Sequence, residues 1–178
     1  MSKKVLAVYG DPYQKETSAN WQILQAVKAE YPELEIDDLQ ALYPDYQIDA
    51  AAEQEKLAEA DVIILESPIY WYNMSSLMRR WLEQVLAYGW AYGDGGQALK
   101  GKTAILSVTA GADLEDYSKG PHCVIEEKDL LKPIQIIFPY CSMKDGGTVF
   151  SAGVQGMPED QQILAAHAAK LLALIQNA

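Results

Sequence analysis

The sequence predicts an α/β protein whose parallel sheet is covered by helices on both faces. Three observations carry this expectation. Val5-Leu6-Ala7-Val8-Tyr9, Asp61-Val62-Ile63-Ile64-Leu65 and Lys102–Val108 are short, nearly all-apolar runs, as strands buried on both faces require. The stretches between them have helical apolar spacing or a helix-favouring composition. Strands joined through helices make right-handed crossovers, and about five such units build a doubly wound three-layer sandwich. The expected architecture is this sandwich, in one domain spanning 1–178.

The elements follow in order. Val5–Tyr9 is a first strand ended by Gly10-Asp11-Pro12, and Ser18 is a candidate N-cap for the helix that follows. Trp21, Leu24 and Val27 share one face of that helix. Glu33–Leu39 alternates charged and apolar residues like an edge strand. An Ala/Glu/Gln-rich helix over 50–60 feeds the strand at 61–65, and a second helix covers 75–88. After the strand at 102–108, Ile134–Phe138 reads either as the end of a helix or as part of a strand. The last helix runs over 159–175, with Ile163, Ala166, Ala169, Leu172 and Ile175 in rough register. No internal repeat, low-complexity tract or linker interrupts the pattern.

Composition narrows the function. With 49% hydrophobic residues the chain can bury a core. A net charge of −11, from 25 acidic against 14 basic side chains, argues against nonspecific nucleic-acid binding and adhesion to anionic membranes. It leaves room for a local anion site built from backbone N–H groups. Cys123 and Cys141 sit in no metal-ligand spacing, so no metal is expected, and two isolated thiols suit a reducing compartment. Met1-Ser2-Lys3-Lys4 runs directly into a strand without a signal-peptide pattern, and no apolar run approaches the roughly 18 residues of a membrane span. The expected location is cytoplasmic.

In a doubly wound sheet, ligands bind beyond the C-terminal strand ends, so the loops after Tyr9, Leu65 and Val108 matter most. The first, Gly10–Asn20, is neither a Walker loop nor a dinucleotide turn, but it ends in Ser18, Ala19 and Asn20 at a helix start. Free N–H groups and the helix dipole favour a phosphate there, although a plain N-cap accounts for the same residues. The second loop carries Pro68, Ile69, Tyr70, Trp71, Tyr72 and Asn73. Three consecutive aromatics at the end of a buried strand suit an apolar platform for a planar ring better than a core. Thr109, Ala110 and Gly111 in the third loop are small enough for close backbone approach to a ligand.

These residues resemble a family. Ser67-Pro68-Ile69-Tyr70-Trp71-Tyr72, with Leu77 and Trp81 and the run from Val85 to Gly93, is similar to the Pro-[Ile/Leu]-x-Trp-[Tyr/Phe] loop and following Gly-x-Ala-[Tyr/Phe] segment of the flavodoxin-like NAD(P)H:quinone oxidoreductases. The likeness is to their small FMN-binding branch, which includes ancillary flavoproteins of glutathione-gated potassium efflux systems and general-stress quinone reductases. It extends more loosely from the first strand to the last helix.

The resemblance implies a flavodoxin-like three-layer sandwich with a five-stranded parallel sheet in the order 2-1-3-4-5, and bound FMN, with FAD disfavoured by the short chain. It implies NAD(P)H as co-substrate, a quinone-like small-molecule acceptor and ping-pong hydride transfer. Pro68 to Tyr72 would contact the flavin ring, Thr109, Ala110 and Gly111 would lie beside it, and Ser18, Ala19 and Asn20 would hold the phosphate. Tyr117 and His122 are the candidates for a Tyr/His pair that stabilises charge on the reduced ring. A homodimer with the site at its interface is implied as well, and Trp90 and Tyr92 suit either that interface or the core. Where the family usually has His before the first-loop Pro, this chain has Asp11, a carboxylate that would repel a phosphate unless it turns away to cap the helix or the loop. Two other roles suit the same chain: a regulatory subunit for a potassium efflux transporter, and a one-electron carrier of the flavodoxin type.

Overall fold

The computed structural model describes residues 3–178. Its strands are β1 (Val5–Tyr9), β2 (Glu35–Asp38), β3 (Val62–Tyr70), β4 (Asn73–Met74), β5 (Thr103–Thr109) and β6 (Lys144–Ser151). All but β4 pair in parallel, in the order β2-β1-β3-β5-β6. The parallel strands alone therefore follow the expected 2-1-3-4-5, and the short antiparallel β4 is the addition.

Alternation along each strand divides the core. Leu6, Val8, Ile63, Leu65, Ala104 and Leu106 face a layer built from α3 (Ala50–Glu59), α4 (Ser76–Val85) and α6 (Glu127–Gln135). Val5, Ala7, Tyr9, Val62, Ile64 and Ile105 face α1 (Ala19–Glu30) and α8 (Gln161–Asn177). Shorter helices fill the connections: α2 (Leu39–Leu42), α5 (Leu114–Tyr117) and α7 (Ile137–Tyr140). Caps set two of the starts, with Asp49 accepting from Ala52 N (3.1 Å) at α3 and Ser75 from Met78 N (3.1 Å) at α4. No helix among the described residues is long and apolar enough to cross a membrane.

Three sequence expectations need correction. The fifth parallel strand is Lys144–Ser151, which the sequence reading did not offer; of the two readings of Ile134–Phe138 the helix end holds, since it closes α6 and opens α7. The strand escapes a sequence reading because Lys144-Asp145-Gly146-Gly147 resembles a turn. Gly146 is needed there because a Cβ would press into Thr103 and Ile105 of β5, and Gly147 has φ +106°. The second correction concerns α8, which buries Leu164, His167, Ala168, Leu171 and Ile175, while Ile163 is exposed. Only Ile175 of the expected face is fully buried, because a histidine with both ring nitrogens satisfied can replace an apolar residue in the core. The third is that β3 continues past Leu65 to Tyr70, since Glu66 to Pro68 still pair with Ser107 to Thr109.

Candidate functional site

The C-terminal ends of β1, β3 and β5 and the start of α1 enclose a cavity of about 400 Å³. Ala19 and Asn20 form one side of it, Pro68, Ile69 and Tyr70 another, and Thr109 and Gly111 a third. Asp11 completes the wall below, with Val154 and Gln155 from the loop after β6. Eight of the residues singled out from the sequence, Asp11 among them, thus meet in one place. A larger depression of about 830 Å³ lies at the opposite, N-terminal end of the strands, among Lys3, Asp61, Lys100 and Lys102. There the Lys102 ammonium is already taken by the carbonyls of Ala58 (2.7 Å) and Ala60 (2.6 Å).

Ser18 occupies the N-cap position of α1 with an extended backbone, yet its side chain does not cap the helix. Its Oγ accepts instead from Lys15 N (3.0 Å). The first-turn N–H groups of α1 therefore have no side-chain acceptor, the condition under which a helix start takes an anion. The preceding loop is braced from below. Gln22 Nε2 donates to Thr17 O (2.8 Å) and Gly156 O (2.9 Å), and a Cβ on Gly156 (φ +84°) would collide with the Thr17 carbonyl.

Asp11 is only 3% exposed. Its carboxylate accepts from the Tyr9 hydroxyl (3.3 Å), Tyr13 N (3.0 Å) and the Tyr70 hydroxyl (3.3 Å). It caps the loop, as one of the two expectations had it, but remains in the cavity wall. Burial first, and then the Asp11 charge, push the Tyr70 phenol up to about 12, so it stays a donor at neutral pH.

The second loop is a tight hairpin. Ile69 pairs with Met74 and Tyr70 with Asn73, leaving Trp71 and Tyr72 as a two-residue turn. Both have positive φ, 49° and 60°, as a type I′ turn requires. At its base, Ser75 Oγ donates to Gly10 O (2.6 Å) and Ser75 N donates to Ser67 Oγ (3.1 Å), tying this loop to the first. Ile69 is buried, whereas Trp71 is 94% exposed and Tyr72 and Asn73 stand on the rim beside it. In the third loop Thr109 and Ala110 are buried and Gly111 is exposed opposite Gln155.

Beneath the cavity lies a buried polar cluster that the sequence did not announce. Asn20 Nδ2 donates to Glu66 Oε1 (2.6 Å), and Thr109 Oγ1 donates to Asn20 Oδ1 (2.6 Å). At the cross-strand position from Glu66, Ser107 Oγ lies 2.8 Å from His167 Nε2, whose Nδ1 lies 2.9 Å from Ser151 Oγ. Burial pushes the Glu66 carboxyl up to about 8, with Ser107 and Asn20 acting the other way. Burial, with Lys170 adding to it, brings His167 down to about 4, so the imidazole is neutral.

The remaining candidates sit apart. Tyr117 is buried, edge-on to Phe150 with centroids 5.2 Å apart, and its phenol is raised by burial, then by Tyr72 and Asp116. His122 is exposed in a separate depression with Glu115, Ser118 and Lys119. Trp90 and Tyr92 are half-buried against the core. Val154 and Gln155 went unnoticed in the sequence; their only signal is the pair of glycines around them, Gly153 and Gly156, both with positive φ.

A family model described as "Flavodoxin-like fold" matches residues 3–175. The chain belongs to that family. Within it, the glutathione-regulated potassium-efflux system ancillary protein KefF of Enterobacter sp. (strain 638) is 39% identical over 140 residues, covering 79% of this chain and 78% of that protein. Among solved structures, general stress protein 14 of Treponema denticola, in complex with FMN, superposes with a TM-score of 0.86 at 29% identity, covering 98% of each chain. A protein described as a thermophilic tryptophan halogenase, from Streptomycin violaceusniger, superposes at 0.82 with 31% identity, covering 93% of this chain and 95% of that one. The described activities of these flavodoxin-like relatives differ, so the chemistry of this member rests on its own cavity.

Proposed function

We propose that this protein is an FMN-dependent oxidoreductase that takes reducing equivalents from NAD(P)H and passes them to a quinone-like acceptor. The observation that carries the proposal is the cavity itself: an uncapped helix start at one end and an aromatic hairpin at the other. Its volume suits a cofactor-sized ligand. The donor set fits FMN, with Asp11 as the one unfavourable group. Ser18, Ala19 and Asn20 would hold the phosphate through backbone N–H groups, with Thr109 fixing the Asn20 side chain. Pro68, Ile69 and Tyr70 would support the ring, and Ala110 and Gly111 would let the backbone come close to it.

FMN, when bound, supplies the two-electron exchange between nicotinamide and acceptor; the protein supplies position and polarity. Trp71, Tyr72 and Asn73 shape the exposed side where nicotinamide and acceptor bind in turn. Tyr117 is the better-supported donor for charge developing there, since its raised phenol keeps its proton and responds to Tyr72, whereas His122 lines a different depression. Trp71, almost wholly exposed on the rim, is a surface for a second copy to cover, which supports a homodimer. A cytoplasmic location accords with this chemistry.

The test is the absorption spectrum of the purified protein and mass identification of any released flavin. A yellow protein holding about one FMN per chain, bleached by anaerobic NADPH, is expected. A colourless protein that takes up no FMN overturns the proposal.

The 39% identity to KefF favours a second reading, in which the same flavin-bound chain is a regulatory subunit of a potassium efflux transporter. Co-purification with the cytosolic domain of such a transporter, lost when FMN is stripped, would establish it.

A further inference from the structure

Glu66 serves no step described above, yet it is wholly buried directly beneath the candidate phosphate site. Only Asn20, which lines the cavity, separates the two. Oε1 is satisfied by Asn20 Nδ2, but Oε2 has no hydrogen-bond partner. A buried carboxylate oxygen without a partner is an unstable place for negative charge.

Asn20 and Ser107 favour the charged form, but none of the neighbours named below brings a positive charge to balance it. From the β1 side the facing groups are the Tyr9 phenol and, further along the loop, the Asp11 carboxylate. Asn20 faces it from α1, Ser107 and Thr109 from β5, and His167 from α8 through Ser107. Tyr9 is buried with its phenol raised far above the ordinary range, so it is neutral. His167, the one group in the set able to become a cation, is held neutral by burial. No lysine or arginine among the described residues forms an ion pair with Glu66 or Asp11. A doubly charged phosphate arriving at the start of α1 thus meets two buried carboxyl groups, neither of them ion-paired among the described residues. A proton on Glu66 adds positive charge to that of the helix start.

We propose that Glu66 is a positioning residue that couples phosphate binding to proton uptake: in alkaline solution, seating the FMN phosphate at the start of α1 places a solvent proton on the Glu66 carboxyl. The inference rests on the FMN reading above. A solvent or buffer acid gives up its proton, its own O–H or N–H bond breaking as the Glu66 O–H bond forms, and no bond of the ligand changes. Protonated Glu66 still accepts from Asn20 Nδ2 through its carbonyl oxygen, so Asn20 keeps its orientation toward the phosphate.

Linkage fixes the sign and the window. The carboxyl of the empty protein holds its proton up to about pH 8, and a bound phosphate extends that range upward. Below about 8 the proton is present with or without ligand; above it, binding must take one up. The apparent Kd for FMN should therefore rise above pH 8, by up to about tenfold per pH unit. In Glu66→Gln, whose amide oxygen accepts from Asn20 in the same way, Kd should stay nearly flat.

The experiment is isothermal titration of the flavin-free protein with FMN at about pH 9, in two buffers of different ionisation enthalpy. The phosphate is then fully dianionic, because its second pKa is about 6, and contributes no protons of its own. Expected is uptake approaching one proton per FMN by the wild type and close to none by Glu66→Gln. An infrared difference spectrum of the wild type alone, with a protonated-carboxyl band growing on FMN addition, gives the same answer should the variant not fold. FMN binding with equal heats in both buffers and no such band overturns this inference and leaves the flavin reading intact. Undiminished uptake in a folded Glu66→Gln overturns it too, placing the proton on another group. Absence of FMN binding at every pH overturns both.

Discussion

At the scale of single residues, the site is governed by which charges are buried and what they touch. Asp11 is held by three donors, so its charge is balanced without a cation, but nothing about that balance favours an incoming phosphate. Asn at this position can accept from Tyr13 N and the Tyr70 hydroxyl while carrying no charge. We expect Asp11→Asn to tighten FMN binding by roughly tenfold, read from quenching of flavin fluorescence. An unchanged or weaker affinity would mean that Asp11 positions Tyr70 more than it repels the ligand. The sequence made Asp11 conspicuous because it precedes Pro12 in a candidate phosphate loop. Glu66 was inconspicuous, because a charged residue at the end of an apolar run reads as the first residue outside the core. Its burial depends on Asn20 and Ser107, which lie far from it along the chain.

At the scale of elements, the hairpin after β3 shows function drawn from backbone strain. Trp71 and Tyr72 both adopt left-handed backbone, where bulky residues are disfavoured by about 1 kcal/mol each. A sequence chosen for stability would have Asn-Gly in this turn. Replacing Trp71 with Asn and Tyr72 with Gly should raise the urea-unfolding stability of the flavin-free protein by roughly 1–2 kcal/mol, while FMN or acceptor binding weakens. A loss of stability would show that the two aromatics hold the hairpin down. The aromatic run was legible in the sequence as a ligand platform, but the turn was not. The residue types argued against a hairpin, and only pairing of Ile69 with Met74 and Tyr70 with Asn73 imposes it. The same limit applies to β6, whose two glycines read as a turn until β5 lies beside them.

At the scale of the whole molecule, buried titratable groups make stability depend on pH. The folded Glu66 carboxyl, at about 8 against an ordinary 4.5, contributes stability that is complete below 4.5 and lost as pH rises through 8. His167, at about 4 against 6.5, does the opposite: its contribution is present above 6.5 and lost as pH falls through 4. Between the two ordinary values they oppose each other. Above 6.5 Glu66 continues alone, apart from Asp37, which burial holds at about 7. Chemical denaturation should therefore show the flavin-free protein roughly 2 kcal/mol less stable at pH 8.5 than at pH 6.5, with Glu66→Gln removing most of that drop. Equal stability at the two values in the wild type would show that Glu66 is not protonated in the fold.

Apolar runs, their spacing and the helical stretches between them determined the doubly wound sheet and the convergence of three loops, and the resemblance of the aromatic loop supplied the strand order. These signals are local, and each strand or helix carries enough of its own pattern to be read alone. Tertiary structure alone decided the last parallel strand, the buried face of α8, the Trp71–Tyr72 turn and the Glu66–Ser107–His167 cluster. In each of these a residue's state depends on a partner distant in the chain: a neighbouring strand that excludes a Cβ, a hydroxyl that lets a histidine be buried, an amide that holds a carboxyl in the dark. Such dependence leaves no periodic trace in the sequence, because it follows from which elements the fold places side by side.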